Sequence, residues 1–158
     1  MTESSLSDND FRSFRDLIAR RSGIYFDPEK QELLKDNLLQ RMADCGLSNF
    51  ADYFNLLSSP AGAKEFDYLL NLITIPETHF FRDRSQFRAL ERFVIPEIIK
   101  KKSYPGASLR IWSAGCSTGE EPYTIAMILA AGMVERPIQV LATDVSHDAL
   151  KAAREGVY

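Results

Sequence analysis

The stretch Ser108–Tyr123, SLRIWSAGCSTGEEPY, constrains the fold more than any other part of this 158-residue chain. A short apolar run (Leu109, Ile111, Trp112) ends in a turn of small residues from Ser113 to Gly119. Two acids, a proline and an apolar helical pattern from Tyr123 follow. That order reads as strand, tight glycine turn and helix N-terminus. In an open α/β sheet such a turn lies beyond the carboxyl end of a strand, where nucleotide-like ligands sit. A second apolar run, Ile138–Ala142, reads as another buried strand ending at Thr143-Asp144. Ser146 then caps a helix with Ala149, Leu150 and Ala153 inward and Gly156 at its end. Residues 108–158 therefore read β-α-β-α, the start of a parallel sheet.

The residues before this stretch read differently. Ser7 is placed to cap a helix, with Asp10 near the capping-box position and Phe11, Phe14, Leu17 and Ile18 at helical spacing. Gly23 fits its stop. Asp27-Pro28 opens a second helix with Leu33, Leu34, Leu38 and Met42 on one stripe, and Gly46 ends it. Ser48 is expected to cap a third, carrying Phe50, Tyr53, Phe54 and Leu57 and broken at Ser58-Ser59-Pro60. A fourth runs from about Ala61 with Phe66, Leu69, Leu70 and Ile73 inward. Short amphipathic helices with short links make a small bundle.

Between the two regions lies a joint, Thr74-Ile75-Pro76-Glu77-Thr78-His79-Phe80-Phe81-Arg82-Asp83, which Pro76 keeps from being helical. Its mixture of hydroxyls, acid, aromatics and arginine fits two readings equally. One is an inter-domain loop with Phe80 and Phe81 tucked into the core. The other is a ligand-facing wall, with Arg82 available to a carboxylate and Thr78 to a polar edge. Ser85–Lys102 is helical again, with Phe87, Leu90, Val94, Ile98 and Ile99 on a stripe and Pro96 as a kink or a new start. Lys100-Lys101-Lys102 suits a helix C-terminus. Tyr104-Pro105-Gly106 is a turn, and Glu135-Arg136-Pro137 a loop. The domain division read from this pattern is 1–90 helical, 91–106 linker helix and turn, and 107–158 α/β.

Composition excludes several classes. The net charge of −3 implies no general attraction to nucleic acid. No apolar run approaches the roughly 18 residues of a membrane span, and MTESSLSDND is not a signal peptide. Cys45 and Cys116 have no framework or metal spacing and read as free thiols of a reducing cytoplasm.

The turn also selects among ligands. A phosphate loop needs a lysine after its last glycine, and Glu120 stands there. The dinucleotide fingerprint fails because Ser117 replaces its second glycine, which weakens an NAD-type oxidoreductase reading. Glu120 and Glu121 would repel a pyrophosphate. A ligand with a cationic end and ribose hydroxyls, such as S-adenosylmethionine, fits better. Its ribose wants an acid at the end of the second strand, and Asp144, 29 residues after Gly115, is placed there. The competing reading is that the acids merely suit a helix N-terminus and Asp144 a turn.

Three segments, LLNLITIPETHFFRDRSQF, LRIWSAGCSTGEEPYTIAMIL and VLATDVSHDALKAAREGVY, resemble the chemotaxis receptor glutamate methyltransferase (CheR) family. The resemblance runs from the N-terminal helices to the last residue. It implies a small all-α bundle followed by the start of a class I (Rossmann-like) α/β domain that binds S-adenosylmethionine, and methylation of glutamates on the cytoplasmic helices of chemoreceptors. It also implies that Thr78 and Arg82 touch the cofactor. Glu121, and less directly Glu120, would serve its methionine side, and Asp144 its ribose. Arg82 would orient reactants rather than transfer protons, and His79 and His147 would be a loop and a helix-start residue. One position departs: Pro76 stands where the family often has asparagine, removing a side-chain amide and a backbone donor.

A class I methyltransferase sheet has more strands than the two read here, and a two-stranded sheet exposes a long edge. The chain is therefore expected to be a fragment or a stub, inactive alone or dependent on association, with strand or domain exchange between copies as one route. The competing function is a non-enzymatic helical module that docks a receptor or signalling partner through the Arg12, Arg15, Arg20 and Arg21 face of the first helix.

Overall fold

The computed structural model describes residues 5–101, 108–132 and 137–158. The chain divides into two compact units, Met1–Ile75 and Pro76–Tyr158. The turn expected at Tyr104-Pro105-Gly106, the third lysine of the 100–102 run and the Glu135-Arg136 loop lie outside the described residues.

The first unit is built from helices α1 (Asp8–Ser22), α2 (Gln31–Asp44), α3 (Phe50–Ser58) and α4 (Ala63–Ile73). Ser7 caps α1: its Oγ accepts the Asp10 N–H at 3.1 Å and donates to the Asp10 carboxylate at 2.6 Å. The core is a single cluster in which Ile18, Leu34, Leu38, Tyr53, Leu57 and Leu69 have no exposed surface. Four expectations need correction. A 3-10 turn, Pro28–Lys30, takes up the start of the second helical segment. The buried stripe of α2 is Leu34, Leu38 and Met42, and Leu33 is 52% exposed, about 100° around the helix from Leu34. The cap of α3 is Asn49, not Ser48; its side-chain oxygen accepts the Asp52 N–H at 2.8 Å. A second 3-10 turn, Pro60–Gly62, delays α4 to Ala63. Gly62 packs so closely that a Cβ there would lie 2.0 Å from the Leu56 carbonyl oxygen.

One polar cluster is sealed into this unit. Glu65 accepts from Arg41 at both oxygens (2.9 and 2.7 Å) and from the Tyr53 hydroxyl (2.8 Å). Burial opposes ionisation of Glu65, but the bonds from Arg41, Tyr53 and Cys45 outweigh it and hold its pKa below the ordinary glutamate value. Nearby, the Arg21 guanidinium lies 3.7 Å from the centre of the Phe66 ring and donates to the Leu57 carbonyl at 2.9 Å.

The second unit opens with the joint, then α5 (Arg84–Ala89), a π-helical turn (Leu90–Val94) and α6 (Ile95–Lys101). Asp83 caps α5 by accepting the N–H groups of Ser85 and Gln86, both at 3.1 Å. Proline at 96 has no N–H to give the preceding turn, so the helix ladder is interrupted there. The π turn shifts the phase: Val94 is 43% exposed and Ile95 takes the buried place expected for it. Strands β1 (Leu109–Ala114) and β2 (Ile138–Thr143) pair in parallel, from Leu109 opposite Ile138 to Ala114 opposite Thr143. Helix α7 (Glu120–Ala131) joins them and α8 (His147–Glu155) follows. This is the β-α-β-α order read from the sequence.

The core of this unit is Ile95, Leu109, Ile125 and Leu129, with Phe87, Leu90, Ile98 and Ile99 packed against it. Residues 84–101 are thus part of the α/β unit, and the division falls at Ile75/Pro76, inside the 74–83 joint and upstream of the linker expected at 91–106. The expectation of a fully buried β2 is also corrected. Ile138 and Val140 face the cluster, but Leu141 is 61% exposed and its partner across the ladder, Trp112, is 66% exposed. One face of the sheet is covered and the other is open.

Candidate functional site

The glycine turn forms because β1 must stop at the end of its ladder and hand over to α7. The N–H groups of Gly115 and Cys116 both donate to the Thr143 carbonyl, at 2.8 and 2.9 Å, so the turn begins as an extension of the sheet. Ser117 then adopts a left-handed backbone (φ 48°), with its N–H donating to Asp144 Oδ2 at 2.7 Å. Gly119, at φ 106°, leads into α7.

Four expected site residues meet here. Asp144, at the end of β2, accepts Ser117 N–H at one oxygen and Ser146 N–H at the other (2.8 Å). It therefore holds the β1–α7 and β2–α8 turns together. Each carboxylate oxygen keeps a second lone pair, so Asp144 can also accept from a diol. Glu121 is exposed, with Oε1 held by the buried Ser113 hydroxyl at 2.6 Å; Glu120 is held by Thr118 Oγ1 at 2.7 Å. Gly115 sits at the apex. Cys116 is buried beneath the turn, where burial and the Asp144 charge push its thiol pKa up. A raised thiol pKa disfavours the nucleophilic thiolate.

The joint approaches this turn from the same unit. Phe81 N–H donates to Thr124 Oγ1 at 3.2 Å, and the Phe80 ring meets Tyr158 edge-on at 4.9 Å. Neither aromatic is fully buried: Phe80 is half-buried and Phe81 exposed. Arg82 is exposed and braces the joint itself, Nη1 donating to the Glu77 carbonyl at 2.6 Å. Thr78 is half-buried and His79 exposed; His147 is the first residue of α8. Sequence reasoning missed Ser113, Thr124 and Tyr158, whose partners lie 8, 43 and 40 residues away. A motif read along the chain carries no signal for them.

A group with an adenosine and a sulfonium amino acid fits what is present. The Ser117 hydroxyl is buried in the turn and is, among the described residues, the side-chain polar atom left without a partner. Such an atom calls for a polar partner. The acids flanking it oppose phosphate and suit a cation. Among the described residues no three His, Cys, Asp or Glu side chains gather as a metal site, and no helix is long and apolar enough to cross a membrane.

Comparison with known proteins agrees with this division. Residues 9–74 match the family model described as CheR methyltransferase, all-alpha domain, and residues 76–158 match CheR methyltransferase, SAM binding domain. The chain is 34% identical to chemotaxis protein methyltransferase 2 of Vibrio cholerae, over 100% of this chain and 55% of that protein. It is 37% identical to the chemotaxis protein methyltransferase of Escherichia coli (100% and 54%) and 36% to that of Borreliella burgdorferi (90% and 52%). It thus spans about half the length of the curated relatives it matches. With an all-helical unit, a strand–glycine-turn–helix and an acid closing the next strand, each where the family models place their two domains, the chain belongs to the CheR methyltransferase family.

Proposed function

We propose that this chain carries the cofactor-binding beginning of an S-adenosylmethionine-dependent protein-glutamate O-methyltransferase acting on the cytoplasmic helices of chemoreceptors. The observation that carries the reading is Asp144: it ties the glycine turn to β2 and keeps lone pairs for the ribose diol. Glu121, fixed by Ser113, lies on the methionine side with Glu120 beside it. Gly115 leaves the backbone approachable, and Thr78 and Arg82 form the joint wall. The bound cofactor supplies an electrophilic methyl group on a sulfonium.

A receptor glutamate, with a reference pKa near ~4.3, is already ionised at neutral pH. Its oxygen would take the methyl group as the carbon–sulfur bond of the bound sulfonium breaks and a neutral thioether is released, so no residue of this chain is needed as a general base. The protein's work is to orient and desolvate, for which good positioning contributes about 7–11 kcal/mol. Arg82 is the residue assigned to orienting the substrate carboxylate. The site of action is the cytoplasm. The 158-residue chain alone is expected to be inactive or association-dependent, since Trp112 and Leu141 leave one sheet face uncovered.

Calorimetry with S-adenosylhomocysteine tests the cofactor reading: binding that Asp144→Ala abolishes supports it, and binding that survives that substitution sinks it. Methyl transfer from labelled cofactor to receptor by this chain alone would overturn the expectation of inactivity. The helical docking module is the weaker reading. Arg12, Arg20 and Arg21 of the expected arginine face are exposed, but Arg15 is paired with Asp16, and Arg21 is held against the Leu57 carbonyl and the Phe66 ring.

A further inference from the structure

Three stretches distant in sequence converge beside the glycine turn. The Tyr158 hydroxyl donates to the Thr118 carbonyl at 2.7 Å. The Tyr158 ring packs edge-to-face with Phe80 (4.9 Å between centres, 83°) and with Tyr123 (5.6 Å, 73°). Tyr123 in turn donates to the Ala153 carbonyl at 3.3 Å, near the end of α8. The turn is shaped around this tyrosine. A Cβ on Gly119 would lie 2.5 Å from the Tyr158 oxygen and 2.9 Å from the Ala153 Cβ, at a φ of +106° that favours glycine.

The neighbouring residue of the joint is held from the other side. Thr124 is fully buried and gives its proton to the Glu120 carbonyl at 2.6 Å, which leaves its oxygen to accept Phe81 N–H. Phe81 has a left-handed backbone, φ 55°. A bulky residue keeps that conformation only where its surroundings determine it. Thus Phe80 is held by a ring and Phe81 by its backbone, and the next residue is Arg82.

We propose that Tyr158 and Thr124 are positioning residues: they clasp Phe80 and Phe81 and so fix the Thr78–Arg82 wall against the glycine turn. The clasp touches no reacting atom. It sets the geometry of residues that the cofactor reading uses, and it rests on that reading for its functional meaning. Tyr158 acts through two separable contacts. Its hydroxyl holds the Thr118 carbonyl, and its ring holds Phe80.

The test is hydrogen–deuterium exchange on the full chain, read in peptides covering 76–83 and 115–121, with S-adenosylhomocysteine calorimetry on the same samples. Tyr158→Ala is expected to speed exchange across 76–83 by about tenfold, while α1–α4 stay unchanged. Tyr158→Phe keeps the rings and is expected to loosen 115–121 alone. Thr124→Val, similar in shape but without the acceptor, is expected to loosen Phe81 and its neighbours. In each case ligand affinity falls without a change in the melting of α1–α4. Exchange across 76–83 that is the same in Tyr158→Ala, Thr124→Val and the parent chain overturns the clasp. So does a uniform rise across 76–158 in Tyr158→Phe, which marks general loosening of the unit. If the parent chain binds no S-adenosylhomocysteine, the cofactor reading fails for this chain while the exchange data still decide the clasp.

Discussion

Single residues divide into those whose meaning is local and those whose meaning is tertiary. The places of Asp144 and Glu121, just after β2 and at the start of α7, were legible because strand, turn and acid follow one another along the chain. Ser113, Thr124 and Tyr158 were not, because each is defined by a partner elsewhere. Glu65 belongs with the second group: along the sequence it is one more acid on an amphipathic helix, and in the fold it is buried with Arg41 and Tyr53. Its folded pKa lies below its unfolded one, so its contribution is complete above the ordinary glutamate range and is lost as pH falls through the folded value. Glu65→Gln should therefore destabilise the helical unit by about 1.5–3 kcal/mol at neutral pH. The difference from the parent chain should shrink when urea melts are repeated at acid pH. Gly62→Ala should be more damaging than its small volume implies, because the obstruction is the Leu56 backbone and not a movable side chain. A midpoint unchanged by that substitution would show that the close approach is relaxed in solution.

At the level of elements, helices were read well where apolar spacing and a cap agreed, as in α1. They were misread where an irregular turn changed the phase. The π turn at Leu90–Val94 substitutes Ile95 for Val94; Leu33 was misread for another reason, since it lies about 100° around α2 from Leu34. Proline announces such a turn but does not say whether it will be 3-10, π or a plain stop. Leu38→Ala is expected to cost about 2–5 kcal/mol, whereas Leu33→Ala should stay within about 0.5 kcal/mol of the parent. Equal losses in chemical denaturation would return Leu33 to the core. Likewise Asn49→Ala should cost about 1 kcal/mol and Ser48→Ala much less, since it is Asn49 that accepts the Asp52 N–H.

For the molecule as a whole, the order of an all-helical unit and an α/β unit was legible from the switch in hydrophobic period. The place of the break was not. The helices of 84–101 look like a continuation of the bundle along the chain, yet they pack on Leu109, Ile125 and Leu129. Exposure of the sheet was hidden for a related reason: a continuous apolar run reads the same whether one face is covered or two. Trp112 is the one tryptophan of the chain and lies on the open face, its indole N–H donating to Thr143 at 3.0 Å. Its fluorescence should be red-shifted and open to acrylamide at low protein concentration. Self-association through the sheet would shield it as concentration rises. Quenching that does not vary with concentration would count against strand exchange between copies.

The clasp on the joint also has a consequence for biosynthesis. The helical unit is complete once Ile75 has left the ribosome, but the last partner of Phe80 arrives 83 residues later. At ordinary rates of translation that is a delay of about 4 to 17 seconds. For the later part of that interval the proposed clasp is half made: Thr124 can already hold the Phe81 N–H, while Phe80 still waits for the Tyr158 ring.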